Sequence, residues 1–189
     1  MLPSEGRQDA KPLNLYTMAN HCNNSIYFYG KDLGKIKEMI ADAIRANDEL
    51  REGWLPESTK SDPSLSHYLF DVCISSIIEG EELAVDCWTK WSPPLEELVI
   101  ICKEANVSCL CLYDELGSSL FGQFEYDVQE DVQKDIFLDE ADFDRVQYDE
   151  ESDLYAFNGE VEDSDFTCYM KMLDEKINSF NYPPKIYTA

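Results

Sequence analysis

The stretch from Glu82 to Tyr126, ELAVDCWTKWSPPLEELVIICKEANVSCLCLYDELGSSLFGQFEY, limits the possible folds more than any other part of the chain. Leu83, Val85 and Cys87 alternate with Ala84, Asp86 and Trp88, the period of a strand. Pro93 and Pro94 end that run, because proline has no N–H to give to a ladder but suits the first turn of a helix. Ser92 is then the expected N-cap, with Glu96 and Glu97 at the positive end of the helix dipole. Leu95, Leu98, Val99 and Cys102 fall on one helical stripe, and Asn106 marks the exit. Val107 to Asp114 reads as a strand apolar on both faces, hence central. Gly117-Ser118-Ser119 turns the chain into a further strand, Leu120 to Tyr126.

Upstream, Ser25 to Gly30 reads as a first strand. Ile36, Met39, Ile40, Ala43 and Ile44 predict an amphipathic helix over Asp32–Ala46. Asp71 to Ile78 reads as a second strand, joined to Leu83 by a hairpin turn at Glu79-Gly80-Glu81. The order strand, helix, strand, strand, helix, strand is that of a split βαβ. The fold class expected is therefore α+β, with a ferredoxin-like core, an antiparallel sheet and two helices on one face. The core domain spans 18–126, with an insertion at 47–67 that carries Trp54 and Leu55, both expected to be pinned to the core. Residues 1–17 are polar and contain Pro3, Gly6 and Pro12, which predicts a flexible extension.

The chain has 189 residues and a net charge of −24, from 39 acids against 15 bases. Such a field opposes contact with phosphate backbones and favours basic partners. It is concentrated: between Glu125 and Asp165 there are 17 acids, and Lys134 and Arg145 are the bases, a net of −15. Ile136, Phe137, Leu138, Phe143, Val146, Tyr148, Leu154, Tyr155 and Phe157 are interspersed there, too many apolar side chains for a disordered tail. The expectation for 127–189 is an acidic strand region folded onto the core. A last helix starts at Ser164 or Asp165, and its apolar stripe is Phe166, Tyr169, Met170, Leu173, Ile177 and Phe180.

No run is apolar enough for a membrane span and no secretory leader is evident. The seven cysteines are odd in number and mostly lie in apolar patterns, which predicts buried thiols in the reduced cytoplasm of a cell. Cys109-x-Cys111 shares one strand face and reads as core, since no second ligand pair accompanies it.

No Gly-rich phosphate loop, nucleophile elbow or zinc-protease motif is present, so catalytic residues, cofactor and metal are all expected to be none. Cys22 with His67 would make a nucleophile pair only if the fold brought them together. The acids from Asp139 to Glu150 have no glycine at the position a calcium loop needs. Trp88, Lys90, Trp91, Tyr113 and Glu115 stand as a candidate polar–aromatic pocket at one sheet end, against the simpler reading of tryptophans packed for stability.

At Met18-Ala19-Asn20-His21-Cys22-Asn23-Asn24 and at Trp88-Thr89-Lys90-Trp91-Ser92-Pro93-Pro94 the chain resembles the YubB-like proteins with a ferredoxin-like domain, found on bacterial plasmids and phages. Tyr113-Asp114-Glu115-Leu116-Gly117 and Phe121-Gly122 are similar to that family's Y-x-E-x-G…F-G pattern. The resemblance covers roughly Met18 to Tyr126. It implies a ferredoxin-like fold and a mobile-element context, and no known activity or catalytic residues. The acidic block and the long segment after Asn47 depart from it.

The function expected is thus a non-catalytic acidic protein-interaction domain encoded by a mobile element, acting in the cytoplasm of a bacterial host. Its partner is a protein with a basic surface, met through Asp139, Asp142, Asp144, Asp149, Glu150, Glu151 and Asp153, with no direct binding of nucleic acid or membrane. One alternative is a nucleic-acid mimic that inhibits a host defence or DNA-processing protein. A second is an enzyme or ligand-binding protein using the region of Trp88–Trp91 and Tyr113–Glu115.

Overall fold

A computed structural model describes residues 21–50, 53–54, 68–78 and 81–180. The first half is a strand–helix unit repeated, β1 (His21–Tyr29), α1 (Leu33–Leu50), β2 (Phe70–Ile78), β3 (Glu82–Lys90), α2 (Leu95–Ala105) and β4 (Ser108–Glu115). Two hairpin strands follow, β5 (Leu120–Asp127) and β6 (Val132–Phe137). All six strands form one sheet in the order β2-β3-β1-β4-β5-β6, and every neighbouring pair is antiparallel. The first four strands are the ferredoxin-like split βαβ, with β1 and β2 separated by β3.

Strand period decides which side chains meet the helices. Cys22, Ile26 and Phe28 on β1, Leu83, Val85 and Cys87 on β3, and Cys109, Cys111 and Tyr113 on β4 point to one face. There they join Ile36, Ile40 and Ala43 of α1 and Leu98, Ile101 and Cys102 of α2 in the main core. Trp54 packs against this core and pairs with Leu69, as expected. Leu55, His67, the turn at Glu79-Gly80, the extension 1–17 and most of the insertion lie outside the described residues.

Three element ends differ clearly from expectation. β1 starts at His21 rather than Ser25. The helix after Asp32 runs to Leu50 rather than Ala46. α2 begins at Leu95 with Pro94 as its N-cap, so Ser92 does not cap it. The two prolines explain the shift: a residue followed by proline is driven out of the α region, so neither Ser92 nor Pro93 is helical, and the first helical bond is Leu98 N–H to Pro94 O, 2.9 Å. Ser92 instead closes a tight reversal. Its N–H donates to Lys90 O at 2.9 Å, and its carbonyl accepts the Thr89 hydroxyl at 2.7 Å. Trp91, at the centre of that γ-turn, has φ 74°, a region a tryptophan adopts only under constraint.

The acidic half is ordered. After β6 come a one-turn helix α3 (Glu140–Phe143), a small sheet β7 (Gln147–Asp149), β8 (Leu154–Phe157) and β9 (Glu160–Glu162), and α4 (Asp165–Ser179). Ser164 caps α4 by accepting the Thr167 N–H. Phe157, Cys168, Met172 and Leu173 form a second core with Phe121, Ile136 and Leu138. The register pairs Gln123 with Ile136 and Gly122 with Phe137, so Phe121 and Ile136 point away from Gly122 and the first core. The sheet is therefore covered on both sides: α1 and α2 on one face, α4 and the acidic lobe on the other, over β5 and β6. Burying Met172 and Leu173 contributes about 1.5–3 kcal/mol each, which opposes the mutual repulsion of the lobe's charges.

Candidate functional site

A notch opens on the helix face where α2 begins, above the outer end of β4, β5 and β6. Ser92, Pro93, Leu95, Glu96, Tyr113, Leu120, Asp135 and Phe137 line it, around a volume of about 350 Å³. Strand register builds its floor, since Tyr113 lies opposite Gly122, and Gly122 opposite Phe137. The Tyr113 ring, 3% exposed, lies across Gly122 and donates its hydroxyl to Asp135 Oδ1 at 2.6 Å. A Cβ on residue 122 would stand 2.5 Å from Tyr113 Cζ, still nearer Oη, and 2.8 Å from the Ile136 carbonyl oxygen. Only glycine lets the ring reach Asp135. Burial, then the hydrogen bond and charge of Asp135, push the phenol far above its ordinary range, so it stays a donor.

Beside the notch runs a buried polar row. Asn24 donates to Thr89 Oγ1 at 3.1 Å and to Cys22 O at 2.9 Å, and Glu115 is 8% exposed. Burial above all pushes the Cys22 thiol up to about 12, with Asp114 and Glu115 adding to the effect against the hydrogen bond from Thr89. At neutral pH that sulfur is a packed thiol, not a nucleophile.

The five residues read as one pocket are divided by the sheet. Trp88 pairs with Asn23 while Tyr113 pairs with Asn24, so Trp88 and Lys90 face one side, Tyr113 and Glu115 the other. Trp88 stacks between His21 (3.9 Å between centroids) and Phe70 (4.3 Å), and its indole N–H donates to Asp71 at 2.7 Å. The Lys90 ammonium stands 5.5 Å from the Phe70 centroid. These contacts give Trp88 a packing role. Trp91 stands apart from both sets and is 60% exposed.

The seven acids named as a partner surface also fall into two sets. Asp139 caps α3 in a reciprocal box with Asp142, and Lys176 bonds both carboxylates at 3.2 and 2.5 Å. Burial alone would lift Asp142, but Lys176, the Asp139 backbone and Arg145 together hold it below its ordinary value. Asp149 accepts the Ser152 hydroxyl and the Glu151 N–H, and Asp153 accepts the Tyr148 hydroxyl. Asp144, Glu150 and Glu151 are exposed, and their carboxylates meet no cation among the described residues. Also among the described residues, no group of three or more His, Cys, Asp or Glu side chains is arranged to hold a metal ion, and no helix is long and apolar enough to cross a membrane.

Sequence reasoning found Tyr113 but missed Glu96, Leu120, Asp135, Phe137 and Gly122. The one signal for them was Gly122 inside an alternating strand, which marks a close approach by another group.

Searches of curated proteins and of solved structures find no match. Residues 70–158, just under half of the chain, match a family model described as a ferredoxin-like domain in Api92-like protein. From β2 to the end of β8, then, the chain is similar to a ferredoxin-like family without an assigned activity, in keeping with the sheet order found here.

Proposed function

We propose that the protein is a non-catalytic interaction domain that meets a basic protein partner through its acidic lobe, encoded, as its resemblance to the plasmid and phage family suggests, by a mobile element and acting in the cytoplasm of its host. The observation that carries this reading is how the lobe spends its cations. Arg145 pairs with Glu175 and Asp142, Lys171 with Glu160 and Glu162, and Lys176 with Asp139 and Asp142. Asp144, Glu150 and Glu151 are left in solvent. A basic partner gains most where no internal cation has to be displaced, and steering by so large a net charge speeds the encounter. Mimicry of nucleic acid asks for more, a continuous track of free carboxylates. The internal commitments of Asp139, Asp142, Asp149 and Asp153 weigh against it.

The test is capture from host lysate at low and moderate salt, with the protein and its Asp144→Asn/Glu150→Gln/Glu151→Gln variant side by side. A basic protein retained by the parent, released by salt and lost by the variant supports the reading. Displacement of that protein by DNA would favour mimicry instead, and capture indifferent to the variant sinks both.

A further inference from the structure

We propose that the notch between the start of α2 and β6 seats an arginine side chain of the protein partner. The inference rests on the proposed role as a binder of a basic protein, and it adds a second, shape-selective contact on the sheet face opposite the acidic lobe.

The sign of the ligand follows from the walls. A helix start favours anions through the N–H groups of its first turn, here those of Leu95, Glu96 and Glu97, since the first bonded N–H is that of Leu98; full negative charges on the notch wall outweigh those partial ones. The charged side chains in the lining are both carboxylates, Glu96 from α2 and Asp135 from β6. A phosphate or carboxylate would be repelled, and a cation is drawn in. The shape of that cation follows from the rest of the lining. Phe137, half exposed, supplies an aromatic surface, Leu95 and Leu120 an aliphatic one, over a floor closed by Tyr113 and Pro93. A guanidinium is planar, stacks on rings, bonds carboxylates through a fixed fork and is more weakly hydrated than an ammonium. Its three-carbon stem suits the apolar wall.

Two further observations point to the same place. The floor is held to shape, since Gly122 brings the Tyr113 hydroxyl to Asp135 and so orients one of the two carboxylates. Next to the wall residues in sequence, Trp91 is held at φ 74° and is 60% exposed, immediately before Ser92 and Pro93. Strained backbone beside a cleft is more often kept for recognition than for stability, and tryptophan with arginine is a recurrent pair at interface hot spots.

The experiment is amide-shift mapping by NMR on the full chain, titrated with acetyl-Gly-Arg-Gly-amide. Its neutral isostere acetyl-Gly-citrulline-Gly-amide and acetyl-Gly-Lys-Gly-amide serve as comparison probes. The arginine peptide should shift Leu95, Glu96, Tyr113, Leu120 and Phe137, the citrulline peptide should not, and the lysine peptide should bind several-fold more weakly. Glu96→Gln and Asp135→Asn keep side-chain size and should each weaken the arginine peptide about three- to tenfold, the range for a charge-assisted hydrogen bond in a partly wet site. The dispersion of the remaining amides reports that each variant is folded. Shifts confined to the Asp149–Asp153 turn would overturn the notch while leaving the acidic-lobe reading standing. Equal binding of the citrulline peptide, or no shift at the notch with any peptide, would overturn it outright.

Discussion

Replacing Gly122 by alanine tests the geometry on which the notch depends. The new Cβ would stand 2.5 Å from Tyr113 Cζ and 2.8 Å from the Ile136 oxygen, where ordinary carbon contacts need about 3.5–4.0 Å. The ring must therefore move by roughly 1 Å, since the alternative is to break the β5–β6 ladder at the Gly122–Phe137 pair. A shift of that size stretches the Tyr113–Asp135 bond from 2.6 Å past the range in which it counts as one. Overpacking of this kind costs about 1–3 kcal/mol. The lost bond adds about 1 kcal/mol, and no more, because Asp135 is exposed and water takes over its oxygen. Removing a flexible glycine from a strand returns about 0.5–1 kcal/mol. The net expectation is a destabilisation of about 1–3 kcal/mol in urea unfolding followed by circular dichroism, with an unchanged m-value. The cause is checked by a cycle with Tyr113→Phe. With the hydroxyl gone there is no bond left for the alanine to break, so its cost should fall by about 1 kcal/mol relative to the parent background. A Gly122→Ala protein within about 0.5 kcal/mol of the parent, or strict additivity in the cycle, would refute the reasoning.

Other consequences are as open to measurement. Leu173→Ala removes a fully buried side chain from the second core and should cost about 2–4 kcal/mol while leaving the helix-face core intact, as near-ultraviolet dichroism would show. Asp142 is held below its ordinary value chiefly against its own burial; a carboxylate so depressed contributes stability above its unfolded value, near pH 4, and loses it as pH falls through the folded value. Acid should therefore loosen the α3–α4 contact below about pH 4, and Asp142→Asn should flatten that part of the stability profile. Trp91→Gly relieves a φ of 74° and gives up an exposed side chain, so the strain of about 1–3 kcal/mol offsets the entropy of the added glycine and stability should hold or rise; a loss above about 1 kcal/mol would contradict it. Limited digestion with a glutamate-specific protease should spare 127–180 despite its many sites, because Phe157 and Met172 anchor that segment; rapid trimming back to Tyr126 would show that the lobe does not hold.

The ferredoxin-like core was legible because its signals are local and agree with one another. Alternation from Leu83 to Cys87 fixed β3, the proline pair fixed where a helix had to begin, and the Leu95–Cys102 stripe fixed the face it buries. Each constraint acts within a few residues and leaves one choice. The errors were local too. Ser92 has the right chemistry for an N-cap, but two prolines after it delay the helix past the reach of its side chain. In the acidic segment the aromatics announced burial, and α4 supplies it. Its position on the far face depends on the parity of β5, however, where Phe121 and Phe124 are three apart and so point to opposite sides. A one-residue change of register would exchange the two cores.

The candidate site was less legible for the same reason, carried one step further. Trp88, Trp91, Tyr113 and Glu115 are close in sequence to the two ends of α2, which invites grouping them, yet a strand sends neighbours to opposite faces. Trp88 and Tyr113 sit on adjacent rows of the sheet, opposite Asn23 and Asn24, and that single-residue offset places the whole thickness of the sheet between them. The residues that do join Tyr113 come from strands 9 to 24 positions further on, Gly122, Asp135 and Phe137, and nothing in their own segments marks Asp135 among so many carboxylates. What distinguishes it is a partner reached through a glycine. In a chain with 39 acids, an individual carboxylate gains meaning only from what holds it. Asp139 and Asp142 are held by a helix end and Lys176 and belong to the architecture, Asp135 is aimed by a buried phenol into a notch, and Glu150 and Glu151 are held by nothing described. Charge count cannot separate these three conditions, and they call for different variants: breaking the first loosens the α3–α4 contact, whereas neutralising the second or third leaves the lobe in place and removes a contact.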